Sequence, residues 1–144
     1  MVTIDASVWL AADAADEAAR DVSRSFLRAV LAGGLAVHLP SISIVEVAAA
    51  VARRTGDADL AREAGQRVLE MPALVVHPLD IDAAAEAAAL AGYVRLRAAD
   101  AIYAATALRL GTQLVTLDLE LRDRAAPVVG VFTPAEWLES RSIV

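Results

Sequence analysis

Short apolar runs alternate along the chain with longer segments in which apolar positions recur at helical spacing. A run of four to eight apolar residues is typical of a buried strand, and apolar residues three or four positions apart are typical of an amphipathic helix. The runs predict strands over 2–5, 35–39, 73–77, 114–117 and 128–132. Helices are expected over 16–31, 41–54, 57–71, 80–94, 100–110 and 133–138, with a short helical turn through Leu121.

This alternation predicts the fold class. Strands that are buried on both faces appear as continuous apolar runs, and helices between parallel strands cover both faces of their sheet. We therefore predict an α/β fold, a three-layer α/β/α sandwich with a mostly parallel five-stranded sheet. No long linker, internal repeat or low-complexity tract interrupts the 144 residues, so residues 1–144 are expected to form a single domain.

Two of the predicted helices begin with residues that are typical of N-terminal caps. Thr133 and Glu136 have the spacing of a capping box, with Pro134 at the first helical position. Ser41 or Ser43 is expected to cap the helix that follows the second strand.

The composition narrows the functional classes. The net charge of −6 argues against a passive nucleic-acid binder, because such proteins are normally basic. Without cysteine the chain has neither disulfides nor thiolate metal sites, and His38 and His77 are too few for a typical zinc site. No apolar run approaches the roughly 18 residues of a membrane helix, and no basic segment precedes an apolar one at the N-terminus. We expect a soluble, cytoplasmic protein without a membrane partner.

Four acids are expected to meet at one edge of the sheet. Asp5 follows the first strand, Glu46 stands in the first turn of the helix after the second, and Asp118 ends the fourth. A helix that runs antiparallel to the next strand begins at that strand's carboxyl edge, which puts Asp100 near Asp118. This requires segment 80–97 to fold across the edge instead of running the full height of the sheet. Ligand sites in such sheets lie beyond the carboxyl ends of the strands.

Each acid alone also has a purely structural interpretation. Asp5 and Asp118 suit turns at strand ends, Asp100 suits a helix N-cap, and Glu46 can complete a capping box with Ser43. Four unrelated caps, however, have no reason to gather at one edge. Two carboxylates about 4 Å apart repel by roughly 4 kcal/mol at an effective dielectric near 20, so a cluster needs protonation or bound cations. Oxygen ligands of this kind select Mg²⁺ or Mn²⁺, which in pairs activate water for phosphodiester cleavage.

Four segments of the chain carry a recognisable set of motifs: Ile4 to Val8, Pro40 to Val47, Arg97 to Ala101 and Leu114 to Asp118. Together they resemble the PIN domain, in particular the VapC toxins of bacterial toxin–antitoxin pairs, over nearly the whole chain. No single motif is specific, whereas the ordered set is. The resemblance implies a Mg²⁺- or Mn²⁺-dependent endoribonuclease whose catalytic and metal-binding residues are Asp5, Glu46, Asp100 and Asp118.

The same resemblance implies supporting residues and partners. Ser7 and Thr116 would lie beside the acids and orient a ligand or bound water, and Glu120 is a weaker candidate for a further acid. Asp123 is interpreted as a solvated surface residue. The implied substrate is RNA, and the implied partners are a second copy of the chain, forming a homodimer, and a small VapB-type antitoxin that covers the groove.

The basic residues and histidines are less informative. Arg53, Arg54, Arg95 and Arg97 can guide RNA phosphates towards the acids, although cations at helix ends are commonly structural. His38 and His77, which lie in or beside apolar strands, are interpreted as structural.

Two other functions remain open. A receiver-like signalling module that binds Mg²⁺ also gathers acids at a sheet edge, but it typically needs paired acids after the first strand and a lysine near the last, and this chain has no lysine. A catalytically inactive PIN fold, kept as an interaction module, would use the same acids as plain caps.

Overall fold

The computed structural model of the chain describes residues 1–142 and, at Glu17, the backbone alone. The strands are β1 (Val2–Ile4), β2 (Val37–Pro40), β3 (Leu74–His77), β4 (Gln113–Val115) and β5 (Val131–Phe132). The helices are α1 (Ala6–Ala12), α2 (Glu17–Ala32), α3 (Ile42–Thr55), α4 (Ala58–Leu69), α5 (Ile81–Val94), α6 (Ala98–Leu110), α7 (Leu119–Ala125) and α8 (Pro134–Ser142). Within residues 1–142, none of the helices is both long and apolar enough to cross a membrane.

The strands form one parallel sheet in the order β3–β2–β1–β4–β5. Thr3 on the central strand lies opposite His38 on one side and Leu114 on the other. The chain moves outward from β1 to β3 and then returns through α5 and α6 to β4, on the other side of β1. Because such crossovers are right-handed, helices cover both faces. The predicted α/β/α sandwich is confirmed, and all five strands are parallel.

Helix α6 packs against β1, β2 and β4. Its small buried side chains, among them Ala101, Ala104 and Ala107, let the helix lie close to the sheet. Tyr103 on the same helix is fully buried, and Asp100 is 8% exposed. The helix that carries one of the four acids is therefore anchored firmly in the core.

Helix α8 closes the core over α2. The ring of Trp137, 1% exposed, meets the ring of Phe26 edge to face at a centroid distance of 5.0 Å. Its indole N–H donates to Oε1 of Gln113 at 3.0 Å. The predicted capping box is confirmed, since the Thr133 N–H donates to Glu136 Oε2 at 2.8 Å and the Glu136 N–H donates to Thr133 Oγ1 at 3.2 Å.

Some boundaries and caps differ from the sequence prediction. Helix α6 begins two residues before Asp100, and Leu117 lies beyond the end of β4. The predicted serine cap of α3 is right in position but not in chemistry: Ser41 takes the N-cap position without a capping hydrogen bond, and its hydroxyl instead accepts from the Leu79 N–H at 3.3 Å. Ser43 is fully buried inside the helix. The Ser41 hydroxyl therefore bonds to the segment after β3 and not to the first turn of α3.

Candidate active site

The winding of the sheet reverses between β1 and β4, because β2 and β3 lie on one side of this boundary and β5 on the other. Such a switch point leaves a crevice beyond the strand ends. A pocket of about 480 Å³ opens there, and Asp5, Glu46, Asp100 and Asp118 all line it. Segment 80–97 does not carry Asp100 to the opposite edge, since Asp100 lines the same pocket as the other three acids.

Asp5 lies directly after β1 and is 7% exposed. Its Oδ2 accepts from the Ser7 hydroxyl at 2.5 Å, the Thr116 hydroxyl at 2.8 Å and the Ser7 N–H at 3.4 Å. Burial raises the pKa of Asp5, and these hydrogen bonds oppose the rise without cancelling it. The two hydroxyls are themselves fixed: Ser7 Oγ accepts from the Leu117 N–H at 3.0 Å, and Thr116 Oγ1 accepts from the Asp118 N–H at 2.9 Å.

Asp118 caps α7 at the outer side of the pocket. Its Oδ1 accepts from the N–H groups of Glu120 at 2.9 Å and Leu121 at 3.1 Å, and its Oδ2 accepts from Nη2 of Arg97 at 2.5 Å. The side chain is 31% exposed. Burial alone would raise the pKa of Asp118, but the Leu121 N–H and the Arg97 guanidinium outweigh it and hold that pKa below its ordinary value.

Asp100 is joined to Asp118 through the same guanidinium. Its Oδ2 accepts from Nε of Arg97 at 2.7 Å. Burial raises the pKa of Asp100, Arg97 opposes the rise, and the negative charges of Asp118 and Asp5 add to it. The two carboxylates in turn raise the pKa of Arg97, first through the hydrogen bond to Asp100. Arg97 is therefore a permanent cation between two acids of the pocket.

Glu46 is held by a residue whose role the sequence pattern did not reveal. The Tyr103 hydroxyl donates to Glu46 Oε2 at 2.6 Å. Burial raises the pKa of Glu46, and the charges of Asp5 and Asp100 raise it further. Burial also raises the pKa of Tyr103, so this hydroxyl stays protonated and remains a donor. The sequence held one signal for Tyr103: it comes three positions after Asp100, and residues at that spacing lie on the same face of a helix.

The structural interpretations of the acids hold for two of the four. Asp5 and Asp118 do cap α1 and α7, besides lining the pocket. Asp100 is not an N-cap, because the cap position of α6 lies three residues earlier. Glu46 forms no capping box, since its carboxylate bonds to α6 and the buried Ser43 hydroxyl has no partner among the described residues. Capping alone does not explain this arrangement.

The four arginines named from the sequence lie in different parts of the structure. Arg53 and Arg97 line the pocket with the acids. Arg54 lines a separate pocket bounded by α1, α2, α3 and α4. Arg95 follows α5 in a left-handed backbone conformation.

Other candidates lie outside the pocket lining. Glu120 pairs with Nε of Arg124 at 3.0 Å, and Asp123 is exposed. Nδ1 of His38 and Nε2 of His77 share a hydrogen bond of 2.9 Å between β2 and β3. Burial lowers the pKa of both histidines, which keeps them neutral, as suits a structural pair.

The donor atoms that line the pocket are of the kind that binds a hard divalent cation, but their positions do not suit one. Carboxylate and hydroxyl oxygens are the donors that Mg²⁺ and Mn²⁺ prefer, and mutual repulsion among the acids favours a bound cation. In the part of the chain from residue 1 to 142, however, no three acidic or histidine side chains are grouped as a metal ion requires. Two of the acids are instead bound to Arg97.

Comparison with known proteins gives one consistent family. The family model described as "PIN domain" matches residues 2–127. No curated protein matches the chain significantly in sequence.

Several solved structures share the fold. FitAcB from Neisseria gonorrhoeae superposes with a TM-score of 0.72 at 22% identity, covering 94% of this chain and 99% of that one. VapC20 from Mycobacterium tuberculosis, described as a sarcin–ricin loop cleaving toxin, gives 0.69 at 20% identity, covering 90% and 97%. A toxin–antitoxin complex from Klebsiella pneumoniae gives 0.65 at 20% identity, covering 93% and 98%. At these identities the likeness to solved structures shows the fold alone.

Proposed function

This chain belongs to the PIN domain family, and from that premise we propose that it is a Mg²⁺- or Mn²⁺-dependent endoribonuclease, the toxin of a toxin–antitoxin pair. One observation carries the proposal: Asp5, Glu46, Asp100 and Asp118 line a single pocket at the switch point of the sheet. Four acids that repel one another in one pocket favour a bound divalent cation there.

The four acids would hold the metal, and Asp5 and Glu46 have fixed supports. Ser7 and Thr116 orient Asp5 by donating to one of its oxygens, and Tyr103 orients Glu46 in the same way. Bound Mg²⁺ or Mn²⁺ supplies a water of lowered pKa and stabilises the leaving oxygen of a phosphodiester. Arg53 lines the same pocket and offers a cation to a substrate phosphate.

The test is cleavage of RNA by the purified protein. Activity is expected with Mg²⁺ or Mn²⁺ and is expected to stop with EDTA. Asp5→Asn and Asp100→Asn are expected to abolish cleavage while leaving the circular dichroism spectrum unchanged. Asp123→Asn, which removes an exposed carboxylate outside the pocket lining, is the matched control and is expected to cleave normally. Undiminished cleavage by both site variants contradicts the proposal.

The partners follow from the same family. The similar structure from Klebsiella pneumoniae is a toxin–antitoxin complex, and we propose a VapB-type antitoxin and a homodimer for this chain as well. Co-expression with the short neighbouring reading frame, followed by size-exclusion chromatography, tests both. A complex that no longer cleaves RNA is expected, whereas a monomer that ignores the neighbouring product rules these partners out.

A catalytically inactive PIN fold is the second candidate, and one observation favours it. The acids as they stand do not form a group of three that holds a metal ion within residues 1–142. Calorimetric titration with Mn²⁺ distinguishes the two functions. Binding together with cleavage supports the nuclease, and no binding at millimolar Mn²⁺ supports the inactive fold.

A further inference from the structure

Arg97 joins two acids that belong to different parts of the chain. It precedes α6, and its Nε donates to Oδ2 of Asp100 at 2.7 Å while its Nη2 donates to Oδ2 of Asp118 at 2.5 Å. The guanidinium is a planar fork whose donors suit such bridging, which a point charge such as an ammonium does less well. One side chain therefore neutralises part of the pocket.

On Asp118, the oxygen that Arg97 occupies is the one left for a metal ion. Oδ1 of Asp118 already accepts the Glu120 and Leu121 N–H groups that begin α7, so Oδ2 is the oxygen left for a ligand. Arg97 takes that oxygen. A divalent cation binds carboxylate oxygen at about 2.0–2.6 Å, so the guanidinium already bound at Oδ2 of Asp118 competes with it for that oxygen.

Arg97 can leave when another cation replaces it. Its side chain is 61% exposed, whereas that of Asp100 is 12% exposed. Water solvates the exposed guanidinium well when it leaves, and the buried Asp100 carboxylate then needs another cation to replace it. Asp5 differs, since its hydrogen bonds come from Ser7 and the fully buried Thr116 and are not replaced by solvent. Arg97 is thus the movable part of a pocket whose other supports are fixed.

We propose that Arg97 is an internal counter-ion of the metal-free protein, which holds Asp100 and Asp118 in place of a divalent cation and must release them before the cation binds. This inference rests on the proposed metal-dependent function. It accounts for the disagreement between the donor chemistry of the pocket, which suits Mg²⁺ or Mn²⁺, and the arrangement of the acids, which does not. Arg97 is a positioning residue in this role, because it acts through the two carboxylates.

Mn²⁺ titration by calorimetry of EDTA-stripped protein tests the proposal. Arg97→Ala is expected to bind Mn²⁺ about tenfold more tightly than the wild type, because the competing cation is gone. Arg97→Lys, which keeps the charge but not the fork, is expected to fall between them. Arg53→Ala is the matched control: it removes the same charge from the same pocket but, within residues 1–142, breaks no ion pair to the acids, and is expected to tighten binding clearly less than Arg97→Ala does.

Nuclear magnetic resonance gives a readout independent of affinity. The Nε–H signal of Arg97 is expected to move, on titration with Mg²⁺, to the position of a solvated arginine, whereas the signal of Arg53 stays in place. A merely structural bridge predicts no such movement and no gain in affinity for Arg97→Ala.

The outcomes separate the two proposals. If the wild type binds Mn²⁺ and Arg97→Ala binds no more tightly, or if Arg53→Ala tightens binding equally, the counter-ion role is overturned and the nuclease proposal stands. If neither the wild type nor Arg97→Ala binds Mn²⁺ at millimolar concentration, the metal-dependent function fails, and the counter-ion role fails with it.

Discussion

Asp5 and Asp118 occupy equivalent places in the fold yet differ in their electrostatics. Each follows one of two neighbouring parallel strands, and each caps a helix of seven residues. Asp5 lies under hydroxyl groups, with burial raising its pKa, whereas Asp118 lies beside Arg97 and capping N–H groups, with its pKa held low. Secondary structure therefore fixes where a carboxylate lies, and the tertiary surroundings fix what that carboxylate can do.

The difference in pKa predicts that a bound cation matters more to Asp5 than to Asp118. A buried carboxylate with raised pKa is costly to keep charged, so a cation that binds it relieves more of that cost. A solvated carboxylate already satisfied by an arginine gains less. We expect substitutions at the Asp5 end of the pocket to affect cleavage more than substitutions at the Asp118 end.

Asp5→Asn is expected to have the largest effect: it should lower cleavage and raise stability. Cleavage should fall more than roughly 100-fold, because losing even a neighbour of a metal ligand commonly costs about 10- to 100-fold. In EDTA the variant should resist denaturant better than the wild type at neutral pH, because burial disfavours the charge that is removed. Denaturation curves and an RNA cleavage assay on the same preparation measure both. Lower stability at neutral pH would contradict the raised pKa.

The pH dependence of that stability difference has a definite sign. Because the folded-state pKa of Asp5 is raised above the ordinary 3.8, its contribution to stability is fully present below 3.8 and is lost as the pH rises through the folded-state value. The advantage of Asp5→Asn over the wild type should therefore grow as the pH rises. Denaturant titrations in EDTA from acidic to neutral pH measure it, and a constant difference argues against this cause.

Thr116→Val tests the link between the two ends. The Thr116 hydroxyl donates to Asp5 and accepts from the Asp118 N–H, so an isosteric valine removes one of the donors to Asp5 and leaves the Asp118 N–H without this acceptor. We expect a loss of about 1–3 kcal/mol in the free energy of unfolding and about a tenfold loss of cleavage. Thr112→Val is the control, because Thr112 is also buried but bonds to Thr3 away from the acids. Equal losses of cleavage in both variants point to a general effect on folding.

Asp118→Asn is expected to be milder. Asparagine still caps α7, and the lost pairing with the exposed Arg97 costs at most about 1 kcal/mol. The sign of the pH effect is opposite to that of Asp5: the depressed pKa of Asp118 contributes stability above the ordinary 3.8, which is lost as the pH falls through the folded-state value. Cleavage should drop by a smaller factor than in Asp5→Asn, because the Asp118 charge is already shared with Arg97. A drop as large as that of Asp5→Asn would remove the distinction between the two ends.

Glu120→Gln is expected to have the smallest effect. Glu120 pairs with Arg124 on the outer surface of α7, and exposed pairs one turn apart contribute about 0.3–0.5 kcal/mol. Unfolding and cleavage should match the wild type closely. A clear loss of cleavage would instead indicate that the metal site includes Glu120 as well as Asp118.

The positions of Asp5 and Asp118 at the edge of the sheet could be predicted, because they depend on residues that are close together in the sequence. A strand followed by an acid and then a helix specifies where that acid lies, so Asp5 and Asp118 were found from short patterns. Helix α1, over Ala6–Ala12, was not predicted, because seven residues are too few for a helical period to be visible. It is stabilised by the Asp5 cap and by packing against α2 and α3.

The contacts that tune the site could not be predicted in this way. Tyr103 and Glu46 are 57 positions apart, and Arg97 and Asp118 are 21 apart. No local pattern pairs such residues, because their meeting depends on how α3, α6 and α7 are placed by the core. The sequence pattern thus located the acids, and tertiary packing selected their partners.

The Trp137 contact has a consequence for how much of the chain the fold requires. The family match ends at residue 127, yet the indole beyond it fills a fully enclosed position against Phe26. Emptying a core position of that size typically removes about 3–5 kcal/mol of stability, a large share of the 5–15 kcal/mol typical of a whole domain. A shortened polypeptide that stops where the family similarity stops would retain every acid of the pocket and still be expected to melt far earlier, because the core around Phe26 would lose the Trp137 ring.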